Sequence, residues 1–247
     1  MLVSVIVPTL NEADHLRGCV RAILANSPPV EIIVADGGSV DATVRVAATY
    51  SGTVRVVTVP RGRARQMNAG AAEARGELLW FVHADTLVPR TGADLIRRRL
   101  TEPDVALGAF ALGFRNDEGT GAFERFVARG ANLRSRLFRL PFGDQAFFLR
   151  RTVFERMGGF PDVPILEDLL LARSARRLGR VVVERLPVWT SARRWHAARW
   201  PFLVTATHAL ILAGYALGCS TETLARWRHS AGHQLLGTRI GQQQEPS

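Results

Sequence analysis

The chain contains no lysine: all 32 basic residues are arginine, against 22 acidic ones, for a net charge of +10. An arginine-only basic set is what a codon bias produces, so a given arginine is not by itself a functional signal. The net charge does favour anionic partners such as nucleotides or lipid headgroups. A nucleic-acid binder would add a basic stripe interleaved with aromatics, or a known binding module, and neither is present. Cysteine is almost absent too. Cys19 and Cys219 are too few and too far apart for a disulfide framework or a zinc site, so buried free thiols in a reducing compartment are expected. The opening MLVSVIVPTLNE has no charged n-region and no cleavage site, so a signal peptide is not expected and residence in the cytoplasm is. A Gly-rich phosphate loop is also missing, with neither GxxxxGK[ST] nor a GxGxxG after a strand.

What is present is an apolar content of 47 %, enough for a sizeable core over 247 residues. The first 90 residues alternate strand and helix. Strands are read at 2–7, 32–35, 54–59 and 78–82, the first a continuous apolar run of the kind a buried parallel strand shows. Helical spacing follows each of the first three, with Asn11 expected to cap the first helix and Ser39 or Asp41 the second. Four such units predict an α/β fold with a doubly wound, mostly parallel sheet, and ligands beyond the carboxyl ends of its strands. After about residue 89 the texture becomes α+β. A strand is expected over 105–114, a basic amphipathic helix over 123–138, a short strand over 145–149, a helix over 165–178 and a late strand over 181–183. The last residues, 236–247, read as a disordered tail.

The strand ends carry the chemistry. Pro8-Thr9-Leu10-Asn11-Glu12, Asp36-Gly37-Gly38-Ser39 and His83-Ala84-Asp85 should converge on one edge of the sheet. Carboxylates beside hydroxyls there suit a ribose, a base edge and a hard divalent cation. Taken singly, each acid could merely cap the next helix. With no phosphate loop, a diphosphate would be neutralised by metal and arginine.

The segments SVIVPTLNEADHL, EIIVADGGSVDAT, GRARQMNAGAAEARGELLWFVHAD and ILEDLLLARSARRLGR together resemble the family 2 glycosyltransferases of the GT-A fold, over roughly residues 1–195. The HADT, GDQAFFLRR and SARRW segments are similar to a small bacterial subgroup linked to arsenosugar biosynthesis. The resemblance implies an inverting, Mg²⁺- or Mn²⁺-dependent transfer of a sugar from a nucleotide diphosphate to a hydroxyl acceptor. It divides the chain into a nucleotide-binding half (1–90), an acceptor half (91–195) and C-terminal helices (196–235). Pro8, Thr9, Leu10, Glu12 and Gly38 would line the donor pocket, Asp36 would bind the base (usually uracil), and Arg65 would lie near the base or diphosphate. Asp85 holds the place of the final carboxylate of the family's DxD motif, a metal ligand. His83 replaces its first Asp, and is either a second ligand favouring Mn²⁺ or a hydrogen-bonding neighbour.

Asp168 aligns with the catalytic base, with Glu167 beside it on the acceptor side; alternatively the two acids only favour a helix N-terminus. Asp144 and Gln145 are expected to contact the transferred sugar or the acceptor, or else to form an ordinary turn. Arg193-Arg194-Trp195 is similar to the family's QxxRW motif with Ser191 in place of Gln, so Arg194 would grip the diphosphate and Trp195 would floor the acceptor site. Competing readings are a lipid-phosphate sugar synthase, a nucleotidyltransferase, and a non-enzymatic basic membrane-binding protein. Residues 201–219 carry no Arg, Asp or Glu and read as an interfacial helix at the inner membrane face, a buried or dimer-forming helix, or a compromised span.

Overall fold

Apolar runs without a charge can only be strands or helices covered on both sides, and the first half of the chain uses them as strands. The computed structural model describes residues 1–28, 30–115, 121–196 and 201–236, without the side chains of Arg194, Trp195, Pro201 and residues 231–236. Strands β1 (Val3–Thr9), β2 (Val30–Asp36), β3 (Val54–Thr58) and β4 (Leu78–Phe81) are mutually parallel in the spatial order β3-β2-β1-β4. Alternate residues of β1 serve opposite layers, as the pleat requires. Val3, Val5 and Val7 meet Leu16, Cys19, Val20 and Ile23 of α1 (Ala13–Leu24), Ala47 of α2 (Thr43–Ala48), and Ala93 and Ile96 of α4 (Gly92–Arg99). Ile6 faces the other layer with Met67 and Ala71 of α3 (Arg63–Glu73). Each fully buried Val, Ile or Leu here contributes about 1.5–3 kcal/mol relative to exposure.

The sheet continues as β6 (Phe148–Arg150), β5 (Val105–Phe114) and β7 (Arg180–Thr190), giving the order β3-β2-β1-β4-β6-β5-β7. Only β6 runs against its neighbours; β5 and β7 are parallel. Gly108 pairs with Phe148, and a Cβ on it would lie 2.1 Å from the Phe148 ring, so that crossing requires glycine. Helices α5 (Ala122–Phe138), α6 (Arg151–Arg156) and α7 (Glu167–Leu178) complete the layers, with α6 and α7 joining α3 on its face through Phe154, Leu171 and Ala175. After the short α8 (Arg193–His196), α9 (Pro201–Ala216) and α10 (Thr221–Leu236) pack Ile211 and Leu224 onto Ile165, just ahead of α7.

Four expectations need correction. Asn11 does not cap α1: it takes a left-handed φ of 54°, and its side-chain oxygen accepts from Val40 N at 2.9 Å, while Glu12 stands at the cap position. Residues 143–145 form a 3-10 turn, and the strand begins only at Phe148. The helix expected from residue 165 starts at Glu167, because Leu166 is left-handed (φ 67°). The strand expected over 181–183 is eleven residues long, an edge strand that tolerates Glu184, Arg185 and Pro187. Among the described residues no helix is long and apolar enough to cross a membrane, which sets aside a span over 201–219. The tail from residue 237 lies outside the described residues.

Candidate active site

Three parallel strands end at one edge, and the loops they release are tied together by side chains. Asp36, at the end of β2, is 1 % exposed. Its Oδ2 accepts from Gly38 N (3.0 Å) and Ser39 N (2.8 Å), and its Oδ1 from the hydroxyls of Ser39 (2.5 Å) and Thr9 (3.1 Å). This carboxylate fixes the loop and joins it to β1. Ser39 Oγ in turn accepts from Asn11 N, and Thr43 Oγ1 from Glu12 N. Neither Ser39 nor Asp41 is the N-cap of α2, which is Ala42; Asp41, one residue earlier, accepts from Thr43 N at 2.8 Å, and its other oxygen receives Ala13 N. Gln66, buried in α3, donates through Nε2 to Thr9 O (2.6 Å) and Ala35 O (2.9 Å), clamping the ends of β1 and β2. Pro8 and Leu10 are half-buried and Gly38 is exposed, with a φ of 89° that suits glycine.

Glu12 and Asp85 share one cation. Arg193 Nη2 lies 2.5 Å from Glu12 Oε1 and 3.4 Å from Asp85 Oδ2, and the hydroxyl of Thr190 sits 3.4 Å from Asp85 Oδ1. Glu12 Oε2 is buried without a hydrogen-bond partner. Two carboxylates and a hydroxyl form a hard oxygen set suited to Mg²⁺ or Mn²⁺. Among the described residues no three His, Cys, Asp or Glu side chains converge on one point, so the remaining ligands of an ion would come from phosphate and water. Cys19 reports the same local negative field. Burial first, and then Asp85 and Glu12, push its thiol far up, so it stays protonated, and both cysteines are free.

The opposite wall carries the candidate base. Asp168, in the first turn of α7, accepts from Gly143 N through Oδ2 (2.8 Å) and from Leu169 N through Oδ1 (2.7 Å). A methyl placed on Gly143 would lie 3.4 Å from both Asp168 Oδ2 and His83 Nε2, so the imidazole faces this wall. Glu167 is nearly buried, 3.8 Å from Arg63 Nη1; burial first, then Asp168, push its carboxyl above the usual range. Arg134 stacks on the Phe142 ring (3.7 Å to its centre) with a buried, unpartnered Nε. Burial lowers its pKa, opposed by Asp144 and Asp168. Arg228 of α10 also interacts electrostatically with Arg63, Glu167 and Asp168, so the C-terminal hairpin reaches this wall. Asn11, Ala146 and Leu166 all take left-handed φ, a costly conformation for Ala and Leu that gathers around the site.

Two candidates stand apart from the others. Gln145 is 0 % exposed: its Oε1 accepts from Ser135 Oγ (2.6 Å) and Phe142 N (3.2 Å), and its Nε2 donates to Phe110 O (3.0 Å). It is a strut under the turn, with its amide oxygen and nitrogen both used inward. Arg65 points outward and pairs with Asp162 at 2.9 Å; Arg63, two residues earlier, faces the acidic pair. The helical phase of Ala64, Met67 and Ala71 would have turned Arg65 outward, whereas it gives no signal that Gln66 is buried. Arg134 carries no comparable signal, being one arginine among many. The side chains of Arg194 and Trp195 lie outside the described residues.

The described geometry matches known proteins in sequence and in fold. The family model "Glycosyl transferase family 2" matches residues 4–158. Glycosyltransferase GlyG of Streptococcus pneumoniae is 30 % identical over 134 residues, covering 51 % of this chain and 44 % of its own. Glycosyltransferase AglE of Haloferax volcanii is 26 % identical over 184 residues, 65 % of this chain and 56 % of its own. The chain thus spans about half the length of these curated relatives. Among solved structures, the mannosyltransferase PcManGT of Pyrobaculum calidifontis, in complex with GDP-Man and Mn²⁺, superposes with a TM-score of 0.66. It is 21 % identical, with 93 % of this chain and 69 % of that one covered. At that identity the likeness carries the fold alone, whereas the family model spans more than half of the sequence: the chain belongs to glycosyl transferase family 2.

Proposed function

We propose that the chain transfers a sugar, with inversion, from a nucleotide diphosphate, first among them a UDP-sugar, to a hydroxyl acceptor, with Asp168 as the base. One observation carries the reading. Asp168 is oriented by two backbone N–H donors, one of them Gly143, whose other neighbour is His83, two residues before Asp85, and Asp85 and Glu12 form a separate pair joined by Arg193. A carboxylate held this way keeps lone pairs for an acceptor hydroxyl. It removes that proton as the oxygen bonds to the anomeric carbon, while the bond from that carbon to the diphosphate breaks on the opposite face. A divalent ion bound near Asp85 would supply charge neutralisation for the departing diphosphate. Pro8, Thr9, Leu10, Glu12 and Gly38 would shape the nucleoside pocket, held by the Asp36 and Gln66 ties. His83 Nε2 and Asp168 Oδ2 are both neighbours of Gly143, which favours a role beside the base over one as a metal ligand. The PcManGT complex with GDP-Man and Mn²⁺ supports the donor class and the metal, and the S. aureus TarS complex with UDP-GlcNAc (TM-score 0.60, 17 % identical, 78 % of this chain and 59 % of that one) supports a uridine donor. The HADT, GDQ and SARRW segments make arsenosugar precursors one acceptor to screen.

The test is calorimetric titration with UDP and GDP, with and without Mn²⁺, beside Asp85→Asn and Asp168→Asn. Metal-dependent micromolar binding should vanish in the first variant and persist in the second. Turnover of Asp168→Asn should fall by about 10²–10⁴-fold. Failure of every nucleotide diphosphate to bind with any metal, or near-normal turnover without Asp168, overturns the reading.

A further inference from the structure

Helix α5 is anchored on one side and bare on the other. Asn132 brackets the backbone of Leu112, accepting from its N–H (2.8 Å) and donating to its C=O (2.9 Å), and Ala128 and Ala131 pack on Leu112 and Phe114. The outer face carries Phe126 (72 % exposed), Leu133 (68 %) and Leu137 (68 %), with Phe138 (57 %) beside them. The first three recur at i, i+7 and i+11, which on an α-helix is a single stripe about 16 Å long. Arg125, Arg129 and Arg136 are exposed and fall 60–100° to one side of that stripe, about 100° per residue, forming a continuous basic rim. The only acid on the helix, Glu124, is turned inward (8 % exposed) and accepts from Gly121 N.

We propose that this face of α5 docks on an anionic lipid bilayer, with the helix lying in the plane of the interface. An apolar ridge enters the acyl boundary while the adjoining arginines meet negative headgroups, each contributing about fivefold in affinity. Charge selects this occupant over a second copy of the chain. An antiparallel two-fold contact along the ridge would bring the arginine rims together, and in either orientation no outward acid on the facing helix answers them, in a chain of net charge +10. The opposite flank of α5 carries Arg134, which interacts with Asp168, and the chain runs from Phe138 to Gly143 in five residues. Docking therefore sets the acceptor wall of the cleft at the level of the headgroups, where an amphiphilic acceptor is met.

The experiment is co-sedimentation of the full chain with vesicles of phosphatidylcholine alone and of phosphatidylcholine with phosphatidylglycerol. Binding should require the anionic lipid and weaken with salt. Arg129→Gln/Arg136→Gln should weaken it by about thirtyfold. Phe126→Ser/Leu137→Ser should remove it, while circular dichroism and UDP binding in both variants remain those of the parent. A chain that stays in the supernatant with anionic vesicles overturns the proposal. So does binding that survives the α5 changes but is lost in Phe202→Ser/Leu210→Ser on α9, or a lipid-free dimer that Phe126→Ser dissociates.

Discussion

Replacing Gln145 with leucine separates a strut from a binding residue. The change keeps the volume and loses three hydrogen bonds, those to Ser135 Oγ, Phe142 N and Phe110 O. Ser135 keeps a partner, since its hydroxyl also reaches Ala131 O at 2.7 Å. The Phe142 N–H and Phe110 C=O are left facing a leucine in a place closed to water. At about 1–3 kcal/mol for each such group, the expected loss is about 3 kcal/mol. For a chain of this size that lowers Tm by about 6–12 °C. Turnover should fall as well, because the same turn presents Gly143 N to Asp168. Gln145→Glu should not rescue either property, since it loses the Nε2 donor and buries a charge. Differential scanning calorimetry and initial rates with saturating donor are the assays. An unchanged Tm with only a raised acceptor KM would refute the reasoning and return Gln145 to the acceptor pocket.

Two further outcomes follow from the charges of the cleft. Burial and Asp168 raise the Glu167 pKa, so the folded state holds this proton to higher pH than the unfolded chain does, and stability is lost as pH rises above about 4.5 through the raised value. Glu167→Gln escapes that loss, so its stability relative to the parent in urea unfolding should improve from pH 4.5 to pH 8; a constant difference would contradict the assignment. Arg193 occupies the space between Glu12 and Asp85 that a divalent ion would share. Arg193→Gln should therefore bind Mn²⁺ several-fold more tightly in the absence of nucleotide, read by titration calorimetry, and weaker binding would count against that competition.

The first 90 residues were legible because their signals are local. Uncharged runs in β1, β2 and β4 can only be buried, and the acids that follow them must then emerge at one edge. The residues that follow were less so, since tertiary context overrides their local pattern. The outer strand β7 is half solvated, so its charges and Pro187 hid all but three of its eleven residues. Gln145 carries polar chemistry fit for a substrate, and only the backbone groups around it reveal that all of it is spent inward. Glu12 and Asp85 were named separately as donor and metal residues, while the arginine that joins them lies more than 100 positions further on in the sequence and waited for the fold.

The reversed strand β6 also sets an order of events during synthesis. The first four strands can pair as soon as residue 81 has emerged, but the outer edge of β4, with all four residues buried in the finished protein, has no partner until Phe148 arrives. At about 5–20 residues per second that interval lasts roughly 3–13 s on the ribosome. An apolar strand edge left open for that long invites pairing with other nascent chains. Cellular yield of this protein should therefore depend on translation speed between residues 81 and 148 and on chaperone supply more than on the stability of the folded state.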